Sequence, residues 1–202
     1  MINHDKMFVF VQIPKTGGTS IADLLSINPM PRGWDNVTKK YRQHFTLSEL
    51  VDNTCLTTEQ SDFYFKFAFV RNPWDRLLSE YTYRKRVHSG GLFSRMNLKE
   101  MLTNEWGTRQ RHMSIKQHIR HQHEFVYENN HQLVDFIGRF ENLQEDFNAV
   151  CDKIGIPRQK LPHKNKSKHK HYTEYYDDET RSIVAERYAK DIEFFGYDFG
   201  GN

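Results

Sequence analysis

The chain has 202 residues, of which 37% are hydrophobic and 14% aromatic, and it carries a formal net charge of +3. This length suits a single domain, residues 1–202, that can bury a substantial core. The charge gives a mild preference for anionic ligands but is too small to indicate a nucleic-acid partner. No stretch approaches the roughly 18 consecutive apolar residues of a membrane-spanning helix, which excludes an integral membrane protein of that kind.

Two features bear on the compartment. The segment Met1–Lys6 leads directly into the first apolar run and leaves no room for a signal peptide, so the sequence predicts a cytoplasmic protein. Cys55 and Cys151 are far apart and share no metal-ligand spacing, which predicts two reduced, structural thiols.

The first apolar run and the loop after it organise the rest of the chain. Met7–Ile13 is rich in Val, Ile and Phe, which predicts a buried strand, and Pro14 ends that strand because proline cannot donate to a sheet. Gly17 and Gly18 allow a tight turn and a close approach of the backbone to a ligand. Free N–H groups at the start of the next helix and the positive charge of Lys15 together predict a loop that binds a phosphate-like group.

The order of residues in this loop decides between two kinds of phosphate site. A Walker loop places its lysine after the last glycine, beside a magnesium-binding hydroxyl, whereas Lys15 precedes both glycines, so the Walker type is excluded. The following helix is predicted to begin at Thr19 or Ser20. The simpler alternative is a glycine turn that only joins a strand to a helix.

A second strand carries a second group of cations. Phe63–Val70 is the next apolar run, and the helix predicted after it, Pro73–Val87, begins behind an asparagine cap. Arg71 then lies at the carboxyl end of a strand, where α/β proteins bind their ligands. Arg76 and Ser79 are three residues apart and are predicted to share a helix face. The simpler alternative is a solvated basic face.

His44 stands just before a helix that Thr46 and Glu49 are predicted to start as a capping box. By itself, a histidine in such a place is more often a structural or surface residue than a catalytic one.

The remainder of the chain completes the predicted sheet. Val134–Phe140 is predicted as a third strand, and a last helix is predicted from Asp177 to about Ile192. Residues 84–123 are dense in Arg, Lys and His, but no H-E-x-x-H or acidic partner spacing occurs, so no metal site is predicted. This segment could form a basic wall for an anionic acceptor or a plain solvated face. Residues 161–171 are predicted to form a flexible basic loop.

Two motifs together resemble a known family. Pro-Lys-Thr-Gly-Gly-Thr-Ser at residues 14–20 resembles the 5′-phosphosulfate loop of sulfotransferases that use 3′-phosphoadenosine 5′-phosphosulfate (PAPS). The residues from Arg71 to Ser79 follow the R-x-P-x-x-R-x-x-S pattern for the 3′-phosphate of PAPS. The order and spacing of the two motifs are similar to those of carbohydrate sulfotransferases, including the uronyl 2-O type, in which a histidine before the second motif is the catalytic base. His44 lies 27 residues before Arg71.

The resemblance implies a fold, an activity and a set of site residues. The fold is a three-layer α/β domain with a P-loop-like parallel sheet flanked by helices. The activity is transfer of a sulfuryl group from PAPS to a carbohydrate hydroxyl, with PAP as the product and no metal required. The implied catalytic residues are Lys15 and His44, with His88 and His112 as the next candidate bases. The implied PAPS-binding residues are Lys15, Thr16, Gly17, Gly18, Thr19, Ser20, Arg71, Arg76, Ser79, Lys166 and Ser167.

Two other functions stay open from the sequence. One is a nucleotide-dependent kinase of related fold, which the missing Walker order disfavours. The other is a non-catalytic protein that binds anionic polymers through its basic segments. The identity of the acceptor and the oligomeric state are not encoded in any motif of the chain.

Overall fold

The structure is a computed structural model, which describes residues 1–25, 34–35, 38, 40–87, 95–103, 113–162 and 170–201. Its strands are β1 Ile2–Asn3, β2 Phe8–Val11, β3 Trp34–Asp35, β4 Lys40–Tyr41, β5 Phe65–Val70, β6 Tyr127–Glu128, β7 His131–Gln132 and β8 Phe136–Arg139. Its helices are α1 Gly18–Leu24, α2 Leu47–Asp52, α3 Thr58–Phe63, α4 Pro73–Val87, α5 Leu98–Thr103, α6 Met113–Ile119, α7 His123–Val126, α8 Leu143–Ile154, α9 Asp178–Arg187 and α10 Ala189–Phe195.

The central sheet has the strand order β1-β2-β5-β8. β2, β5 and β8 are parallel, and β1 adds an antiparallel edge. The three segments predicted as strands therefore lie side by side in one sheet, and the predicted α/β fold is confirmed. The strands themselves are shorter than predicted, since β2 ends at Val11 and β8 begins at Phe136.

Both faces of the sheet are buried, because successive side chains of a strand point to opposite faces. Val9 and Val11 pack with α2 and α10 on one face, whereas Phe8 and Phe10 pack with α1 and α8 on the other. A third cluster joins α4, α5 and α9. At Gly138, β8 approaches β5 closely, since a Cβ there would lie 2.5 Å from the ring of Phe69.

Local signals predicted several helix boundaries correctly. α4 runs from Pro73 to Val87, and the side chain of Asn72 accepts a hydrogen bond from the N–H of Trp74 at 3.1 Å. Thr46 and Glu49 form the predicted capping box at the start of α2.

Other boundaries differ from the prediction. Phe63 ends helix α3 and is 78% exposed, because a capping box of Thr57 and Gln60 starts a helix where the aromatic run predicted a strand. α1 begins at Gly18, slightly before the predicted start. The single predicted C-terminal helix is broken at Tyr188 into α9 and α10. Lys166, Ser167, His88 and His112 lie outside the described residues.

Within the part of the chain that the structure describes, no helix combines the length and apolar character needed to cross a membrane.

Candidate active site

The two predicted anion-binding segments lie side by side. The loop that contains Lys15 follows β2, and Arg71 follows β5, which is the parallel neighbour of β2. Both segments therefore emerge at the carboxyl edge of the sheet, where α/β proteins bind ligands.

Side chains hold the carbonyl oxygens at the start of the loop after β2. The three hydrogen bonds are Thr16 Oγ1 to Ile13 (2.9 Å), Arg76 Nε to Pro14 (3.0 Å) and a guanidinium nitrogen of Arg71 to Lys15 (3.1 Å). Lys15 itself has a φ of 70°, an uncommon backbone conformation for a residue with a side chain. Such strained residues cluster at ligand-binding sites, because the surrounding contacts must hold them in place.

The N–H groups of the same loop are left unbonded. Among the described residues, the backbone N–H groups from Lys15 to Thr19 have no hydrogen-bond partner. Gly17 has a φ of 83° and packs so closely that a Cβ would lie 2.9 Å from the side chain of Leu143. The loop therefore presents a run of free donors, which is the arrangement that binds a phosphate or sulfate group.

Two of the residues predicted to bind PAPS, Thr16 and Ser20, use their hydroxyl groups in hydrogen bonds within the protein. Thr16 is fully buried, and its hydroxyl bonds to Ile13 as described above. The hydroxyl of Ser20 donates to the carbonyl oxygen of Pro162 at 2.8 Å. Pro162 belongs to the first, described part of the predicted basic loop, so this bond ties the start of α1 to that loop.

The ammonium group of Lys15 lies 4.2 Å from the centre of the Tyr83 ring. Burial lowers the pKa of Lys15 to about 8, although the nearby carboxylate of Glu80 opposes the shift. Arg71 and Arg84 add to the lowering by repulsion. Lys15 is therefore a cation at neutral pH whose charge is lost in mildly alkaline solution.

Arg71 is 6% exposed and makes contacts on several sides. Its Nε donates to Asp75 Oδ2 at 2.8 Å, and its guanidinium group stacks 3.9 Å from the centre of the Phe140 ring. Arg71 and Asp75 line a cleft of about 290 Å³ together with Lys170 and Tyr172. The arginine is thus fixed in direction and borders open space.

Arg76 and Ser79 both lie on α4 and differ in exposure. Arg76 is 1% exposed, and its guanidinium group donates to the carbonyl oxygens of Pro14, His118 and Arg120. Ser79 is only partly buried. Arg76 therefore joins the loop after β2 to the end of α6 and has little surface to offer a ligand. Ser79 instead follows Arg71 and Asp75 at intervals of four residues.

His44 lies in a short 3₁₀ turn, Arg42–His44, and is buried. Its Nδ1 is 3.0 Å from the carbonyl oxygen of Gln12 and must carry the proton of that hydrogen bond, which leaves Nε2 as the acceptor nitrogen. Burial, and secondly repulsion from His118, lower the pKa of His44 to about 3. His44 is therefore neutral near pH 7, and a pH effect near the ordinary imidazole value of 6–7 is not expected from it.

Three residues that no sequence motif marks complete the site. The side-chain amide of Gln117 on α6 donates to the carbonyl oxygens of Tyr41 and His44 at 2.9 and 3.1 Å. The next residue, His118, packs its ring edge-on against that of His44 with 5.1 Å between the ring centres. Nδ1 of His118 lies 3.0 Å from Glu80 Oε2. Only the tertiary contact of α4, α6 and the turn at His44 brings these residues together.

One group among the described residues could hold a metal ion, namely His121, His123 and Asp191. Asp191 already accepts hydrogen bonds from the backbone N–H groups of Gln122 and His123 and from Nδ1 of His123. These bonds give the carboxylate a structural role at the start of α7.

The sequence was compared with protein families and with known proteins. The model of the sulfotransferase family matches residues 1–198. The chain therefore belongs to the sulfotransferase family, whose reaction is the transfer of a sulfuryl group from a sulfate donor. An uncharacterized protein of Archaeoglobus fulgidus is 33% identical over 99 residues, which are 48% of this chain and 73% of that protein. The predicted resemblance is thus confirmed at the level of the family.

Proposed function

We propose that this protein transfers the sulfuryl group of PAPS to a hydroxyl group of a carbohydrate and releases PAP. The observation that carries the proposal is the loop after β2, with its free N–H groups from Lys15 to Thr19 and the cation of Lys15. Arg71 at the end of the neighbouring strand supports it, because a nucleotide with phosphates at two positions needs two separate anion sites.

The donor half of the site would act on the leaving group. As the acceptor oxygen bonds to sulfur, the bond from sulfur to the 5′-phosphate breaks and its electron pair passes to the phosphate. The loop N–H groups and Lys15 would meet the charge that develops there, and one preorganised donor of this kind contributes roughly 3–4 kcal/mol to the stability of a transition state. Thr16 would act through its backbone N–H group, since its hydroxyl group donates to a carbonyl oxygen. Ser20 would support the loop indirectly, because its hydroxyl group bonds to Pro162 and its N–H group to Gly17.

Arg71 and Ser79 would bind the 3′-phosphate at the nucleoside end of PAPS. Asp75 compensates the charge of Arg71 in the free protein, and the 3′-phosphate would share the guanidinium group with it. Arg76 would support this half indirectly by fixing the loop at Pro14. Lys166 and Ser167 stay proposed as residues of a loop over the nucleotide.

The acceptor half is proposed at the pair of His44 and His118. An imidazole there would remove the proton of the acceptor hydroxyl, and the family resemblance implies His44 for this role. His44 bonds to the carbonyl oxygen of Gln12 in the loop after β2, and the ring of His118 packs against that of His44. Arg76 also joins the backbone of His118 to Pro14 in the same loop.

A transfer assay tests the proposal. The protein is incubated with ³⁵S-labelled PAPS and a panel of chemically desulfated polysaccharides, with and without a chelator. We expect label in a polysaccharide and formation of PAP in both conditions. A strict need for Mg²⁺ with ATP as the donor would indicate a kinase instead. Tight binding of sulfated polysaccharides without turnover of PAPS would indicate a binding protein.

A further inference from the structure

We infer that the proton of the acceptor hydroxyl passes to His118, which Glu80 orients, and that His44 holds the hydroxyl in place. This inference rests on the proposed sulfuryl transfer and concerns the acceptor half of the same site. In it, His118 is a catalytic residue and Glu80 is a positioning residue.

Glu80 is a buried carboxylate that accepts hydrogen bonds from two side chains. It is 1% exposed, and it accepts from Arg84 Nε at 2.6 Å and from His118 Nδ1 at 3.0 Å. Burial alone would raise the pKa of Glu80, but the hydrogen bond from His118 and the charges of His118, Arg84 and Lys15 lower it to about 2. Glu80 is therefore ionised at every pH at which the enzyme would work.

The bond to Glu80 selects one form of the His118 ring. In the neutral ring, Nδ1 carries the hydrogen that it donates to the carboxylate, so Nε2 is left as a base. When Nε2 takes a proton, the resulting imidazolium faces a carboxylate at hydrogen-bond distance. A histidine oriented in this way by a buried carboxylate is the arrangement that general bases use in hydrolases.

His44 lacks such a partner. Its Nδ1 donates to a neutral backbone carbonyl at 3.0 Å, and it is 7% exposed. A charge on His44 would be poorly solvated and would lie beside His118 and near Arg76. His44 is therefore better suited to accept a hydrogen bond from the hydroxyl at Nε2 than to keep its proton.

The charged groups around His118 come from three segments. α4 contributes Glu80, Arg84 and Arg76, the last through the carbonyl oxygen of His118. The turn at Arg42–His44 contributes the neutral ring of His44, and the loop after β2 contributes Lys15, whose charge acts on Glu80. Glu80 is the carboxylate in direct contact with the ring.

The reaction step balances with these groups alone. The O–H bond of the acceptor breaks and its proton goes to Nε2 of His118, while the freed electron pair forms the new O–S bond. The S–O bond to the 5′-phosphate breaks, and its electron pair stays on the phosphate near Lys15. The imidazolium then returns its proton to solvent after the product leaves.

The test compares His118→Asn with His44→Asn in the full-length protein. The rate of PAPS cleavage is followed from acid to neutral pH, with water or a desulfated polysaccharide as the acceptor, and PAP affinity is measured by calorimetry. Glu80→Gln is the second variant, because it keeps the shape and an acceptor oxygen but removes the charge. His4→Asn is the control, since His4 bonds to Tyr64 at the opposite, amino edge of the sheet.

We expect His118→Asn to lower kcat about 10²–10⁴-fold with unchanged PAP affinity, and to abolish the fall in rate at acidic pH. Glu80→Gln should lower kcat about 10–100-fold and alter the pH–rate profile, because an uncharged amide no longer stabilises the proton that Nε2 of His118 accepts. His44→Asn should have a lower rate but should still show the fall in rate at acidic pH. His4→Asn should match the wild type in both rate and pH profile.

If the fall in rate at acidic pH disappears in His44→Asn and persists in His118→Asn, the inference is overturned and His44 is the base. Wild-type rates and pH profiles in both His118→Asn and Glu80→Gln would overturn it as well. A wild-type protein that neither binds PAP nor cleaves PAPS would instead contradict the proposed function itself, and the inference with it.

Discussion

Arg71 combines a structural contact with a proposed binding contact. It holds the carbonyl oxygen of Lys15 at 3.1 Å, pairs with Asp75 and borders the cleft between α4 and Tyr172. A residue that fixes the donor loop and also faces open space links the two anion sites. Its replacement should therefore weaken nucleotide binding.

We expect Arg71→Ala to weaken PAP binding about 10–100-fold, because hydrogen bonds to charged groups contribute about 1.5–3 kcal/mol each. The preference for PAP over adenosine 5′-phosphate, measured by calorimetry, should shrink. Arg158→Ala is the matched control, since Arg158 also pairs with a carboxylate, Asp152, but is exposed. An unchanged preference in Arg71→Ala would mean that the 3′-phosphate binds elsewhere.

Lys15 gives the site a pH dependence on the alkaline side. Its pKa, lowered by burial to about 8, means that the ammonium charge is present below that pH and is lost as the pH rises through it. The rate of PAPS cleavage at subsaturating PAPS should therefore fall above about pH 8. Lys15→Arg keeps a charge throughout this range and should remove the alkaline fall, even if its rate is lower. The same alkaline fall in Lys15→Arg would assign it to another group.

At the scale of elements, the contact between β5 and β8 allows little change. A Cβ on Gly138 would lie 2.5 Å from the ring of Phe69, closer than side-chain atoms can approach. Arg139, the next residue, pairs with Val70 at the end of β5, directly before Arg71. Strain at this contact would therefore be transmitted to the edge of the sheet that carries the site.

We expect Gly138→Ala to lower the free energy of unfolding by about 1–3 kcal/mol, because overpacking forces the backbone or the ring to shift. Urea denaturation measures the change. In a double-mutant cycle, Phe69→Leu should cost less when Gly138→Ala is already present, since the smaller side chain relieves the clash. Additive effects would show that the sheet accommodates the methyl group without contact with Phe69.

The strands that form the sheet could be predicted because each is a short apolar run bounded by clear breaks. The loop after β2 and Arg71 could be located because they directly follow those runs. Phe63 was wrongly included in a strand, since aromatic content suits a strand and the capping box of Thr57 and Gln60 was overlooked. The end of α9 at Arg187 could not be predicted, because Tyr188 continues the helical pattern of apolar residues.

At the scale of the whole molecule, Glu80 connects parts of the site that are distant in sequence. Its two oxygens accept from Arg84 and His118, and its charge acts on Lys15. From the sequence, Glu80 and Arg84 have the four-residue spacing of an ordinary surface pair on a helix. His118 is one of many histidines in a basic segment. Their relation is created only by the packing of α6 against α4, which no local pattern encodes.

The same limit applies to the acceptor. The residues on either side of α5, where the basic segment would meet a polysaccharide, fall in part outside the described residues. The proposed donor half of the site follows two strands directly, so its position could be predicted, whereas the structural hydrogen bonds of Thr16, Ser20 and Arg76 could not. The acceptor half depends on side chains from separate segments and was predicted only through His44.

We propose that the loop after β2 binds the 5′-phosphate end of PAPS and that Arg71 and Ser79 bind the 3′-phosphate. A crystal structure of the protein with PAP and a desulfated oligosaccharide tests it most directly. We expect density for the 5′-phosphate at the N–H groups from Lys15 to Thr19, with the acceptor hydroxyl on the side of His44 and His118. A nucleotide bound with its two phosphates exchanged, or bound away from the loop after β2, would contradict this assignment of the two phosphate sites.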